Sequence, residues 1–154
     1  MEPDASVQTR PRRAASPEEA AYVDLVRTAE MLSRPVAQLL KTGDLSPAQY
    51  NVLRILRGCP DGLTCGEIGN RMITRDPDIT RLLDRLEKRA LVSRGRDAKD
   101  RRVVLTRIAP AGLDLLARLD RPVRDLHRRL LGHLGPVRLR TLAQLLESCR
   151  AALD

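Results

Sequence analysis

The sequence contains no phenylalanine and no tryptophan, and only two tyrosines, Tyr22 and Tyr50. Its core must therefore be aliphatic, and 26 leucines supply it, a composition that favours helices. Cysteine is scarce and odd in number. Cys59, Cys65 and Cys149 leave at least one thiol outside any intramolecular pairing, which fits a reducing compartment. No Cys/His spacing resembles a zinc site. His127 and His133 stand six apart, off a common helix face, with no nucleophile, glycine-rich phosphate loop or metal set beside them. Neither an enzyme nor a cofactor is expected. No uninterrupted apolar run approaches the roughly 20 residues that cross a bilayer, and the basic N-terminal stretch lacks the apolar segment of a secretory signal. A membrane span is excluded, no membrane partner is expected, and the expected location is the cytoplasm.

What the sequence does have is positive charge. Net charge is +8 with a pI near 10.4, which favours a polyanionic partner. Arginines outnumber lysines 25 to 3, a bias that a GC-rich genome also produces, so a single arginine carries weight only where its position supports it. Between Arg75 and Arg107 eleven basic residues face six acidic ones, so this stretch holds five of the eight excess charges. A chain of 154 residues has room for one ordinary domain, or for a small domain with a dimerisation extension.

Residues 1–16 lack apolar periodicity and read as a disordered arm. Ser16-Pro17-Glu18-Glu19 can open a helix, with Ser as cap, Pro at the first position and acids at the positive end of the dipole. Apolar positions from Val23 to Leu40 continue it over 17–42, with a kink expected at Pro35. Ser46 with Gln49, and Thr64 with Glu67, form two capping boxes, predicting helices to about Arg57 and Met72. Asp76-Pro77-Asp78 opens a third short helix, whose apolar face is Ile79, Leu82, Leu83, Leu86 and Ala90. The period then changes. Leu91 to Arg94 and Arg102 to Ile108 read as strands around a polar turn, Gly95 to Asp100. From Pro110 the helical pattern returns as far as Leu134, broken or kinked near Pro122, and Gly135-Pro136 starts a last helix. The expected organisation is a DNA-binding region at 45–109 between dimerisation helices at 17–42 and 110–152. The outer helices carry more apolar surface than one copy can bury, which predicts a homodimer.

Three capped helices followed by a hairpin predict a mainly α fold with a small β-hairpin wing, a winged helix-turn-helix. On the third short helix Asp78, Thr80, Arg81 and Arg85 lie off the apolar face, with Arg75 just before it. Residues near the start of such a helix enter the major groove, where arginine can contact guanine. The same residues would also serve as an ordinary solvated face, with Arg81, Asp84, Arg85 and Lys88 paired along the helix. In the hairpin, Arg94, Arg96, Lys99, Asp100, Arg101 and Arg102 gather around the turn, which can carry guanidinium groups to the narrow minor groove. Asp100 is expected to hold the Arg102 side chain.

The run Leu45-Ser46-Pro47-Ala48-Gln49-Tyr50-Asn51-Val52-Leu53, Gly62-Leu63-Thr64, Ile79-Thr80-Arg81-Leu82-Leu83-Asp84-Arg85-Leu86-Glu87, Leu91-Val92 and Asp100-Arg101-Arg102 resembles the MarR family of regulators in order and spacing. The resemblance covers roughly residues 20–150. It implies a transcriptional repressor that binds double-stranded DNA as a dimer on a pseudo-palindromic operator, with release by a small-molecule effector or by oxidation. It also implies that Arg102 enters the minor groove with Asp100 as its orienting partner. Two positions depart from the family pattern, Ala90 in place of Gly and Ala109 in place of a capping Thr. An effector pocket is expected where the first helix and the start of the fifth meet the DNA-binding lobe; Tyr50 is its candidate contact, though a core role suits it better. Cys65, in the first turn of a helix, is the candidate for a redox switch. A non-specific architectural DNA binder is the alternative of a different class; it would show steep salt dependence and no preferred sequence.

Overall fold

Most helices begin where a capping side chain stands. In the computed structural model, which describes residues 16–74 and 78–153, Ser16 accepts from the Glu19 N–H at 3.2 Å and opens α1, Pro17–Leu40. Both expected capping boxes are formed. Ser46 and Gln49 open α2, Pro47–Arg57, and Thr64 and Glu67 open α3, Cys65–Arg71. Asp78 caps α4, Ile79–Lys88, by accepting from the Arg81 N–H. The arm at 1–15, together with Arg75 and the expected helix start at Asp76-Pro77, lies outside the described residues.

Ala90 does not belong to the apolar face of α4. It is exposed, one residue past the Arg89 cap, at φ 55°. The Leu91 N–H reaches back to the Leu86 carbonyl at 3.0 Å and the Ala90 N–H to that of Glu87 at 2.8 Å, a Schellman ending in which a left-handed residue is required. Alanine fills it, so the helix ends as in a protein with glycine there, at a conformational cost.

The hairpin consists of β1, Val92–Arg96, and β2, Val104–Ile108, paired antiparallel with Val92 opposite Ile108 and Arg96 opposite Val104. The first strand therefore runs two residues beyond its expected end, through Gly95 and Arg96, and the second begins two residues later than expected. The tip is 97–103. Leu63 adds a bridge to Thr106, with both backbone hydrogen bonds formed, so the turn before α3 is tied to the middle of β2.

Helix α5, Pro110–Leu131, is unbroken at Pro122. Leu115, Leu116 and Leu119 before the proline and Val123 and Leu126 after it are all buried. At roughly 1.5–3 kcal/mol each, their burial outweighs the roughly 3 kcal/mol that an internal proline costs. The break falls instead at Gly132–Leu134, a 3-10 turn, and α6 follows as Gly135–Ala151. Pro35 likewise lies inside an uninterrupted α1.

The core gathers Leu40, Val52, Leu53, Leu56, Ile68, Leu83, Leu86 and Leu116, with α5 packed against α1 and α2. Its aliphatic character follows from the absence of larger aromatics. Gly112 lets the first turn of α5 lie directly on the Leu91 carbonyl, which also accepts from the Ala109 N–H at 2.9 Å. A half-buried pair, Arg57 to Asp120 at 2.8 Å, joins α2 to α5. The outer helices keep apolar side chains in the open. Tyr22, Leu25, Val26 and Met31 on α1, and Val137, Leu142 and Leu145 on α6, are all exposed.

Candidate nucleic-acid interface

Helix α4 presents three distinct faces. Leu82, Leu83 and Leu86 are buried and Ile79 half-buried, which fixes the helix on the core. Arg81, Arg85 and Lys88, spaced four and three residues apart, share one exposed flank. Asp84 and Glu87, three apart, share another. Charge is thus sorted around the helix, with cations on one flank and carboxylates on the flank beside it.

The carboxylates are not paired along the helix. Asp84 binds Arg94 of β1, and Glu87 binds the same guanidinium, with the Nε to Oε2 distance at 2.8 Å. Arg94 is therefore turned inward at the root of the wing, with 27% of its side chain exposed, instead of standing with the cations of the tip as its sequence position suggested. Hydrogen bonding by Arg94 holds the Glu87 carboxyl below the ordinary glutamate range, and hydrogen bonding by Glu87 in turn raises the Arg94 guanidinium. The remaining cations of α4 are freed by this arrangement. Among the described residues Arg81 pairs with its own helix cap alone, Asp78, at 3.2 Å, and keeps 76% of its side chain exposed. Arg85 and Lys88 are exposed and enter no ion pair among the described residues.

Thr80 is exposed in the first turn of α4, its hydroxyl 3.9 Å from the Cys65 sulfur. Cys65 is half-buried, and Cys59 and Cys149 are also free thiols. Arg71 donates to the Cys59 sulfur at 2.8 Å.

At the end of β1 and in the tip, Arg96, Lys99, Asp100, Arg101 and Arg102 are all exposed. Asp100 does not hold the Arg102 guanidinium. Its Oδ1 accepts from the Arg102 main-chain N–H at 2.9 Å, its carbonyl accepts from Val103 at 3.0 Å, and the Arg96 guanidinium donates to the Arg101 carbonyl at 3.2 Å. These bonds shape the turn and leave the Arg102 side chain outside any ion pair among the described residues. The acid and the arginine are two apart in an Asx-type turn, where the carboxylate reaches the backbone sooner than a long side chain.

Tyr50 is buried, beneath the Arg54 guanidinium at 5.9 Å, and borders a cavity of about 450 Å³ whose wall includes Val36, Leu40, Ile55, Ile73 and His127. The cavity lies where α1, α2 and α5 meet.

Two further residues matter to this surface. Lys88, expected to pair along the helix, instead completes the cationic flank. Arg89 ties the end of α4 to the chain after α1, donating to the Gly43 carbonyl at 3.2 Å and to that of Asp44. No local pattern points to that contact.

Residues 45–104 match the family model described as the MarR family. A MarR transcription factor from Planctomyces limnophilus is 42% identical, with 88% of this chain and 98% of that one covered and a TM-score of 0.67. The HTH-type transcriptional repressor IacR of Pseudomonas putida is 28% identical over 123 residues, 80% of this chain and 73% of that protein. The fold is also shared with S. aureus MepR in its DNA complex, at 22% identity, a TM-score of 0.73 and coverage of 86% and 96%. Capped helices, a paired hairpin, a cationic flank and these likenesses agree: the chain belongs to the MarR family and is a winged helix-turn-helix, DNA-binding transcription regulator, not an enzyme.

Proposed function

We propose that the protein is a repressor that binds a pseudo-palindromic operator as a homodimer. Helix α4 enters the major groove with Thr80, Arg81 and Arg85 toward the bases, with Asp78 at its start and Arg75 before it in the sequence. The wing follows the adjacent minor groove with Arg96, Lys99, Arg101 and Arg102, and Asp100 shapes its tip. The observation that carries this reading is the sorting of charge on α4, because an exposed cationic flank with the acids of the neighbouring flank neutralised by Arg94 suits a phosphate-lined groove. The residues at 45–109 act as the DNA-binding region. The exposed apolar side chains of α1 and α6, at 17–42 and 110–152, are the surface that a second copy covers. Among the described residues no helix is long and apolar enough to cross a membrane, which is compatible with action on DNA in the cytoplasm.

A small-molecule effector entering the cavity beside Tyr50 would separate helices that join the outer stalk to the DNA-binding lobe, releasing the operator. A second reading, a thiol switch, draws on the position of Cys65 against Thr80 of α4; it ends if peroxide leaves operator affinity unchanged.

Selection of sites from a random duplex library, at about 150 mM salt, tests the main proposal. An enriched palindrome with half-sites about one helical turn apart is the expected result. Tight binding without enrichment would point to an architectural DNA binder instead.

A further inference from the structure

Arg94 stands on β1, opposite Thr106 of β2, at the base of the hairpin. Its main-chain N–H donates to Glu87 Oε1 at 3.2 Å, and its Nε donates to Glu87 Oε2 at 2.8 Å. Its terminal Nη2 reaches both Glu87 Oε2 and Asp84 Oδ1. Glu87 thus uses both oxygens on one strand residue, gripping backbone and side chain together, while Asp84 holds the far end of the same planar guanidinium. A planar group bound at several points fixes orientation as well as distance, which a flexible ammonium would not do.

We infer that Arg94 is a positioning residue for DNA binding: its clamp on Asp84 and Glu87 sets the angle between the recognition helix and the wing, so that both reach DNA at once. The inference rests on the reading of α4 and the wing as the two DNA-contacting elements. The lever is long. About five residues separate Arg94 from the middle of the tip, roughly 15 Å at strand rise, so a swing of about 10° would carry the tip some 3 Å. A displacement of that size removes a side chain from hydrogen-bonding range. The covalent link between α4 and β1, 89–91, does not by itself prevent the swing, because it crosses the pair at one end only.

A double-mutant cycle on the selected operator separates positioning from mere stabilisation of the hairpin. Wild type, Arg102→Ala, Arg94→Met and the double variant are compared for affinity, with thermal melting as the check on folding. Arg102→Ala is expected to lower affinity about tenfold in the wild-type background and less than about threefold with Met at 94, since a displaced wing no longer delivers that contact. Equal losses in both backgrounds would overturn the inference while leaving the reading of the wing intact. No loss from Arg102→Ala in the wild-type background would remove the reading of the wing, and the inference with it. Should Arg94→Met fail to fold, Glu87→Gln takes its place in the same cycle, with the same outcomes deciding.

Discussion

The Arg89 guanidinium donates to the main-chain carbonyl of Asp44, joining the end of α4 to the chain four residues past the end of α1. Asp44 is itself held at φ 52°, in the left-handed region. The contact that matters is the one to the backbone. The Asp44 carboxylate stands 3.7 Å from Arg89 but is 94% exposed, so the ion pair is weak. Arg89→Ala should lower stability by about 1.5 kcal/mol, the lower end for bonds to charged groups because the arginine is partly exposed. Asp44→Asn should leave it within about 0.5 kcal/mol, since asparagine tolerates the left-handed conformation. Urea unfolding of the two variants distinguishes the cases.

Ala90 carries the strain of a position that glycine normally fills. The left-handed conformation costs an L-residue about 1–2 kcal/mol, partly offset by the greater freedom glycine has when unfolded. Ala90→Gly should therefore stabilise by about 0.5–1 kcal/mol. Thermal and urea unfolding would show it, and a loss of stability would mean that the Schellman ending is not formed as described.

Gly112→Ala should have the opposite effect. A methyl group there would be driven into the Leu91 carbonyl, and Ile108 closes in from the side. Backbone cannot step aside as a side-chain end can, so a loss of about 3 kcal/mol is expected, near the upper end for overpacking. Chemical denaturation measures it.

Two carboxyls bind guanidinium groups and are held below their ordinary values, Glu87 by Arg94 and Asp120 by Arg57. Because their folded values are depressed, the stability they contribute is present at neutral pH and is lost as pH falls below the ordinary carboxylate range toward the folded values. Unfolding free energy should therefore stay level from pH 7 to about 5 and then decline. In Glu87→Gln the decline should be shallower, and urea titrations across that range would reveal an unchanged slope if Glu87 has no part in it.

Arg81→Ala and Arg102→Ala should fail differently. Loss of a base contact relaxes sequence preference, whereas loss of a wing contact weakens binding to many sequences alike. Affinities for the selected site and for scrambled DNA give both numbers, and equal losses on both DNAs for both variants would argue against this division of roles.

The sequence by itself determined the elements. Capping boxes at Ser46/Gln49 and Thr64/Glu67, the serine cap of α1 and the change of period after α4 are local signals, made by residues three or four apart, and the structure keeps each of them. The flank of α4 that carries Arg81 and Arg85 was legible for the same reason, since helical spacing alone assigns it. Tertiary structure decided what lies between elements. Arg94 looked like a wing cation until Asp84 and Glu87, ten and seven residues away on another element, claimed it. Pro122 looked like a break or a kink, and buried leucines on both sides keep the helix unbroken across it. Asp100 found a backbone N–H before it found a guanidinium, and Arg89 found carbonyls 45 and 46 residues away. Local hydrogen-bond chemistry is written in short spacings, whereas the partner of a long charged side chain depends on which surfaces packing brings together.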